Sequence, residues 1–350
     1  MEKKERNSSL ELLRIIAIIL IFWMHGASSY RNNQLSAWLC IVIETIGNIG
    51  VALFVLTSGY FGIKLKPLKM IRLEMMLLFY CWIGLVFRFL WGEAQAFDGA
   101  QILSYIFPVI GRYSWYFTCY FVLVFLSPFL NDALEKLDRK TFEKMLITML
   151  TLFSGVTTFF FFDITQDGGK GIVNMVLLYI IGRYIRLYKD NVVYGKAKLI
   201  GGYTIITMCC ILLNAALYIC TGTVQNRFAR DNSLFTIAEA VCVFIIFKSI
   251  HFENNYINKL ATHVPAIFIM EWTLRGIITH YMFDYLAWRE SNWHELILFG
   301  ISLLLVIMGA CIDTIRVKIF GTLEEKISNI FLKFFESIKK FIEINFMQER

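Results

Sequence analysis

Long apolar runs separated by short polar segments are the dominant pattern along the chain. A helix that crosses the hydrocarbon core of a membrane needs about 20 mostly apolar residues, and runs of that kind recur over most of the 350 residues. The pattern therefore predicts an all-α integral membrane protein with about ten transmembrane helices. The predicted spans are 10–29, 38–61, 70–91, 113–130, 145–163, 171–188, 199–221, 233–250, 263–286 and 294–313.

Two segments depart from this pattern. Residues 98–110 are apolar but contain Pro108 and precede Gly111, which is typical of a re-entrant or interfacial segment. In 316–350, apolar residues recur at helical spacing with lysines and glutamates between them. That spacing predicts an amphipathic helix on the cytoplasmic membrane surface, with a partner-binding helix as the alternative. We therefore divide the chain into a transmembrane domain, 1–315, and a cytoplasmic tail.

The distribution of basic residues orients the predicted spans. If the N-terminus is cytoplasmic, the cytoplasmic segments carry 25 of the 34 lysines and arginines, whereas the outer segments carry 7. Cytoplasmic loops of membrane proteins are enriched in lysine and arginine, and an error of one span would remove the asymmetry. We expect a multi-pass protein with both termini in the cytoplasm.

Composition supports a membrane protein and excludes other classes. Hydrophobic residues make up 57% of the chain and charged residues 17%, against about a quarter charged in soluble domains, and the mean hydropathy is +0.60. The net charge of +7 does not predict nucleic-acid binding, because the basic residues lie between apolar runs. The eight cysteines form no CxxC pair and lie in or beside apolar runs, so we interpret them as small hydrophobic side chains within helices and predict no metal site.

The first apolar run carries three ionisable residues, Glu11, Arg14 and His25, and lacks a cleavage-site pattern, so we expect it to be retained. Ionisable groups inside a span are costly and often functional, although snorkelling also explains the two at its cytoplasmic end. Arg14 and His25 are eleven residues apart, close to three helical turns, so they share one face about 16 Å apart along the axis. Glu11 falls on the same face.

The chemistry of these side chains suits an extended anionic donor with a reactive end deeper in the membrane. A guanidinium binds phosphate through two parallel hydrogen bonds. A neutral imidazole titrates near the working pH and can take a proton from a hydroxyl. The first span therefore has the groups for binding a phosphate at one end and for general-base chemistry at the other.

Residues 8–25 read SSLELLRIIAIILIFWMH. This run resembles the first helix of acyltransferase family 3, a family of bacterial membrane O-acyltransferases with an Arg or Lys, ten residues and then a His. Arg14 and His25 occupy those positions. Three further segments resemble family segments in the same order: GVALFVLTSGYF at 50–61, WYFTCY at 115–120 and LSPFLN at 126–131.

The resemblance implies transfer of an acyl group, usually acetyl, from cytoplasmic acyl-CoA to a hydroxyl of a cell-surface or lipid-linked carbohydrate. It implies no bound cofactor, acetyl-CoA or another acyl-CoA as co-substrate, and a bacterial inner-membrane location. Acyl-CoA, a glycan acceptor and membrane lipid are the expected partners. His25 would act as the general base or as an acyl relay, with Arg14 on the CoA phosphates.

Other residues extend this predicted site. The expected donor-binding residues are Arg14, Glu11, Ser58, Tyr60, Lys69 and Arg72, and the expected acceptor-binding residues are Trp115, Tyr116, Tyr120 and Arg275. Three alternative explanations apply. They are close helix packing for the segment with Ser58 and Tyr60, membrane topology for Lys69 and Arg72, and an interfacial aromatic belt for Trp115, Tyr116 and Tyr120.

Glu271 is a departure from the family pattern. Family members often carry a His late in the chain, and the corresponding segment here, 265–271, reads PAIFIME. Glu271 precedes Arg275 by four residues, so an intramembrane ion pair is one interpretation. In the other, Glu271 is a catalytic-site residue that orients His25 or shapes the acceptor site.

Two rival functions use the same buried charges. A transporter would show inverted repeats and paired Gly or Pro interruptions, but the chain has only 4 prolines and no two-half symmetry. A glycan polymerase or flippase usually has large outer loops, and every predicted outer loop here is short. Both remain alternatives to the acyltransferase.

Overall fold

The computed structural model describes residues 7–28, 34–93, 99–288, 291 and 293–348, and these residues form helices without any strand. The charged residues 1–6, which we predict on the cytoplasmic side, lie outside the described residues. The helices are α1 (Ser8–Ser28), α2 (Gln34–Gly47), α3 (Ile49–Phe61), α4 (Pro67–Leu90), α5 (Gly99–Ile106), α6 (Trp115–Glu135), α7 (Arg139–Leu150), α8 (Val156–Phe160), α9 (Ile172–Tyr188), α10 (Lys196–Thr221), α11 (Leu234–Lys248), α12 (Asn255–Thr262), α13 (Val264–Ile277) and α14 (His294–Gln348).

Six segments within the described part of the chain are helical, long and apolar enough to cross a membrane. They are Ser8–Ala27, Ala37–Phe61, Pro67–Leu90, Trp115–Glu135, Lys196–Thr221 and His294–Ile338. The other four predicted spans coincide with α9, with α11, with α7 and α8 joined by a π-helical turn, and with α13 extended by a π-helical turn. A multi-pass helical protein is thus confirmed, while the count of ten spans stays a prediction.

Helix α1 lies at the centre of the bundle, in contact with α2, α3, α11, α12, α13 and α14. Its fully buried side chains include Leu13, Ala17, Ile18 and Phe22. A helix surrounded in this way has no lipid-facing surface along most of its length. The charged residues of the first span are therefore placed inside the protein.

The backbones of α3 and α9 come unusually close, because glycines face each other across the contact. A Cβ atom on Gly59 would lie 2.2 Å from the Tyr179 carbonyl oxygen, and one on Gly182 would lie 2.4 Å from the Leu56 carbonyl oxygen. Small residues permit such approaches in membrane bundles. The packing interpretation of the segment around Ser58 is consistent with this contact.

Helices α9 and α11 are short, with 17 and 15 residues. At about 1.5 Å per residue they are shorter than the ~30 Å hydrocarbon core. Non-helical backbone at membrane depth is tolerated where it lines a cavity. The loops that precede these helices, 161–171 and 222–233, line a polar cavity beside the end of α1 that carries His25.

Helix α14 continues without a break through the predicted domain boundary at 315/316. No proline interrupts it, and Arg316 bonds to Asp313 before the boundary and to Glu324 after it. The tail is therefore not a separate helix in the structure. Its apolar residues, including Ile330 and Phe334, are exposed, and its position on the membrane surface stays a prediction.

Replacing Gly59 or Gly182 by alanine should destabilise the bundle, because the added methyl group would overlap a backbone carbonyl of the facing helix. Overpacking of this kind costs about 1–3 kcal/mol, so we expect the apparent melting temperature in detergent to fall by about 5 °C. Gly201→Ala in α10 is the matched control, since a methyl group there meets open space. Equal melting temperatures for all three variants would contradict the close approach.

Candidate functional site

Glu11 and Arg14 line a cavity at the N-terminal end of α1. Arg14 Nη1 lies 2.9 Å from Glu11 Oε2, so the two charges are paired within one helix. The cavity has a volume of about 540 Å³, and we call it the Arg14 cavity. Apart from this pair its wall is largely aromatic and aliphatic; it is lined by Asn7, Leu10, Glu11, Arg14, Phe54, Thr57, Ser58, Phe61, Leu73, Tyr116, Phe117, Tyr120, Val264, Pro265 and Phe268.

Of the other predicted donor-binding residues, the structure brings only Ser58 into the Arg14 cavity. Tyr60 lies two residues further on the same helix and so faces the opposite side, where its hydroxyl donates to Asp190 Oδ1 at 2.5 Å. Lys69 is exposed and Arg72 pairs with a glutamate of α14. Neither of these basic residues lines the cavity.

At the other end of α1, His25 belongs to a three-residue array. His25 Nδ1 lies 2.7 Å from Glu271 Oε2, and Arg275 Nε donates to Glu271 Oε1 at 3.0 Å. Arg275 also donates to the backbone carbonyl of Phe22 on α1. Glu271 and Arg275 are buried, with side-chain exposures of 3% and 5%, whereas His25 is 30% exposed.

This array sets the tautomer of His25. A carboxylate paired with an arginine only accepts hydrogen bonds, so Nδ1 of His25 carries the hydrogen and Nε2 carries the basic lone pair. The imidazole ring also stacks on Trp272, with 5.9 Å between ring centroids and 16° between planes. Glu271 thus pairs with Arg275 and also contacts His25, and its role in catalysis stays a prediction.

Two further cavities meet at His25. The first, of about 530 Å³, contains Trp91, Arg88 and Tyr113 together with Glu271 and Trp272; we call it the Trp91 cavity. The second, of about 510 Å³, is the one lined by the loops that precede α9 and α11, and we call it the Asp163 cavity. Its charged and amide residues are Glu44, Asn48, Asp163, Gln166, Asp167, Lys170, Gln225, Asn226, Arg230 and Asp231. His25 and Trp115 line both.

The predicted acceptor-binding residues separate into three places. Trp115 lines both cavities at His25. Tyr116 and Tyr120 stack with 6.1 Å between centroids and line the Arg14 cavity instead. Arg275 is buried behind Glu271 and is held by that carboxylate. The aromatic segment that opens α6 therefore contributes to both ends of the site.

The loop that follows α8 forms a rigid wall of the Asp163 cavity. Asp163 accepts hydrogen bonds from the backbone of Gly168 and from Thr165, and Asp167 accepts from Gly169. Gly168 and Gly169 have φ values of 64° and 86°, a conformation that favours glycine. The side chain of Asn174 in α9 donates to the Gly169 carbonyl and closes the loop.

Sequence reasoning missed this wall. The run DITQDGGK, 163–170, was visible as a polar segment between spans, and its acidic residues and glycines were the available signal. The structure also pairs Glu44 in α2 with Asn226 of the loop before α11 and with Cys40. Among the described residues no group of three or more His, Cys, Asp and Glu side chains could hold a metal ion.

Fold and site together define a multi-pass helical membrane protein in which a buried Glu–Arg pair orients a histidine at the junction of polar cavities. A family model described as an acyltransferase domain matches residues 7–312. The chain therefore belongs to acyltransferase family 3, as its motifs predicted, and is a membrane acyltransferase. No curated protein and no solved structure matches it significantly.

Replacing Asp231 by asparagine should stabilise the protein at neutral pH. Burial raises the pKa of Asp231 to about 6, although Lys170 and His25 oppose the shift. The pKa of Asp231 is higher in the folded state than in the unfolded state, so ionisation of its carboxyl destabilises the fold progressively as the pH rises from about 4 to about 6. Above that range the destabilisation amounts to about 2–3 kcal/mol. We expect a higher apparent melting temperature for Asp231→Asn at pH 7.5.

The difference should shrink towards zero below about pH 3, where the carboxyl is protonated in both states. Asp284→Asn is the control, since Asp284 is exposed and its acceptor oxygen is retained in asparagine. A stabilisation by Asp231→Asn that does not change with pH would contradict this account of the Asp231 carboxyl.

Proposed function

We propose that the protein transfers an acyl group, most simply acetyl, from acyl-CoA in the Arg14 cavity to a carbohydrate hydroxyl at His25. One observation carries the proposal: the donor-side and acceptor-side cavities share a wall. Phe268 lines both the Arg14 cavity and the Trp91 cavity, and the adjacent residues Trp115 and Tyr116 line one side each. A thioester that extends along α1 from Arg14 towards His25 would cross at this wall.

The Arg14 cavity suits a CoA thioester by its distribution of charge. Arg14 is available for a phosphate through the same guanidinium that now pairs with Glu11. The rest of the wall is apolar and aromatic, which suits the uncharged pantetheine arm. The axial distance of about 16 Å between Arg14 and His25 calls for a donor of this extended shape.

The His25 end suits proton transfer from a hydroxyl. In the direct route, Nε2 of His25 takes the proton of the acceptor hydroxyl while its oxygen attacks the thioester carbonyl. The carbon–sulfur bond then breaks, the CoA thiolate receives the proton, and an ester remains on the acceptor. In the relay route, Nε2 attacks the thioester carbonyl and CoA leaves as the thiolate. The acceptor hydroxyl then attacks the acyl-imidazole, the carbon–nitrogen bond breaks, and the hydroxyl proton passes to the thiolate.

Orientation completes the proposal. With the N-terminus in the cytoplasm, the Arg14 cavity opens towards cytoplasmic acyl-CoA, and the two cavities at His25 open towards the outside. The excess of lysine and arginine in the predicted cytoplasmic segments supports this orientation. The acceptor would then be a cell-surface or lipid-linked glycan of a bacterial inner membrane.

Acetyl-CoA binding and turnover by the purified protein in nanodiscs test the donor site. We expect Arg14→Ala to weaken acetyl-CoA binding by about tenfold or more, because a hydrogen bond to a charged group contributes about 1.5–3 kcal/mol. We expect His25→Ala to retain binding and to lose thioester turnover. Arg139→Ala is the matched control, since Arg139 lies on the surface in α7. A folded wild-type protein that binds no acyl-CoA would refute the proposal.

Glu271→Gln tests the positioning role of Glu271. Glutamine keeps the shape of the side chain but lacks the charge that holds Nδ1–H of His25 and pairs with Arg275. We expect acetyl-CoA affinity to stay within about twofold, while turnover falls on the order of 10²–10⁴-fold, the range of general acid–base catalysis. The pH–rate profile should also shift, since the imidazole loses its carboxylate partner. An unchanged pH profile would indicate that Glu271 is only a structural residue.

A further inference from the structure

The reaction at His25 would create a positive charge that the surrounding array does not balance. When Nε2 takes a proton or an acyl group, the imidazole becomes a cation, because Nδ1 keeps its hydrogen towards Glu271. Glu271 is negative, but Arg275 pairs with it and cancels that charge. An unbalanced charge is costly inside a membrane protein, so a further negative group is expected near His25.

Asp231 is a negative group in the right place. Its side chain is 5% exposed and lines the Asp163 cavity together with His25, whereas Glu271 lines the Trp91 cavity. Burial raises the pKa of Asp231, and the charge of His25 opposes that rise. The two groups are therefore close enough to interact, and His25 has Glu271 in one cavity and Asp231 in the other.

The other acidic residues of the Asp163 cavity are engaged by hydrogen bonds. Asp163 and Asp167 accept from Thr165 and from backbone amides of their own loop, and Glu44 accepts from a buried asparagine. Within the described part of the chain, no other residue donates a hydrogen bond to the Asp231 carboxyl. Its negative charge is therefore the one least neutralised by local contacts.

Two contacts hold the backbone of Asp231 in place. The side-chain amide of Asn174 in α9 donates to the Asp231 carbonyl at 3.1 Å and to the Gly169 carbonyl at 3.0 Å, which ties the two loops together. Gly169 also packs directly on Asp231, since a Cβ added to the glycine would lie 2.8 Å from the Asp231 Cβ. A charge fixed in this way needs no rearrangement when His25 becomes positive, as preorganised electrostatic stabilisation requires.

The charged neighbours of Asp231 leave it ionised at neutral pH. Burial raises its pKa to about 6, Lys170 and His25 oppose the rise, and Asp167 adds to it. Lys170 is exposed, so water screens its charge. The remaining charged residues of the cavity are Glu44, Asp163 and Arg230. A buried carboxyl that stays charged beside a candidate base is typical of functional sites.

We propose that Asp231 acts through His25, as the negative charge that stabilises the protonated or acylated imidazole during acyl transfer. Asp231 takes up no proton and forms no bond. In the direct route the proton passes from the acceptor hydroxyl to Nε2 and then to the CoA thiolate. This inference rests on the proposed function and adds a positioning residue to its mechanism.

Asp231→Asn keeps the shape of the side chain and removes its charge. The fold of this variant should be more stable at neutral pH, so a loss of turnover would not result from unfolding. We expect release of CoA from acetyl-CoA by the protein in nanodiscs to fall about tenfold or more at pH 7.5, the effect of one nearby charge. Acetyl-CoA affinity should stay within about twofold. Asp284→Asn is the control, since Asp284 is exposed.

The ratio of wild-type to Asp231→Asn turnover should also depend on pH. Above about pH 6 the wild-type carboxyl is ionised and the ratio should be largest; as the pH falls through about 6 the ratio should approach one, because the carboxyl becomes neutral. Equal turnover at pH 7.5, or a ratio that does not change with pH, would overturn the proposal.

Chemical modification of His25 tests the coupling without the acyl-transfer reaction. Diethyl pyrocarbonate reacts with an uncharged imidazole, and His25 is 30% exposed. We expect His25 of Asp231→Asn to react at a pH lower by about half a unit or more than in the wild type, as measured by mass spectrometry of the peptide that contains it. An identical pH dependence in both proteins would overturn the proposal, as would a shift without any loss of turnover.

Acetyl-CoA binding to the same samples separates this proposal from the proposed function. A shift in the reactivity of His25, in a folded wild-type protein that binds no acetyl-CoA, would refute the acyltransferase reaction and leave the coupling of Asp231 to His25 standing.

Discussion

Hydrocarbon cannot solvate a charge, so each ionisable group on α1 must find a partner inside the protein. Glu11 neutralises Arg14 within the helix, and Glu271 with Arg275 holds His25 from α13. The second pairing requires that α1 pack against α13, and burial of the first span requires that other helices enclose α1. The central position of α1, in contact with six neighbours, follows from this requirement, and the cavities form where the enclosure is incomplete.

Close backbone contacts allow neighbouring helices to enclose α1. Glycines let α3 approach α9, and Gly50 lets α3 approach α1. A Cβ atom added to Gly50 would lie 2.7 Å from the Ala17 carbonyl oxygen. At the end of α1 that carries His25, by contrast, the polar loops that precede the short helices α9 and α11 line a cavity. A bundle with ten full-length, evenly packed helices would have no space there for a polar ligand.

The two ends of the site differ in chemistry because different elements form them. Helix residues from α1, α3, α4, α6 and α13 make the Arg14 cavity, and their side chains are mainly apolar. Loop residues make much of the Asp163 cavity, and loops carry the polar side chains that turns require. The first arrangement suits an apolar arm with an anionic end, and the second suits a hydroxylated ligand.

The sequence by itself determined the helical membrane class, the family, and the shared face of Arg14 and His25, because these depend on local spacing and composition. It also grouped Ser58 with Arg14, and both residues line the same cavity. Only the tertiary structure decided that Glu271 is the partner of His25, since the two residues are 246 positions apart and meet through the packing of α1 against α13. The tertiary structure also decided that Tyr60 contacts Asp190 and that Tyr116 and Tyr120 lie in the cavity with Arg14 rather than beside His25. It likewise placed the loop with Asp163 in the wall of a cavity. Helical periodicity sets which residues share a face, but the neighbour that the face meets depends on the packing of the whole bundle.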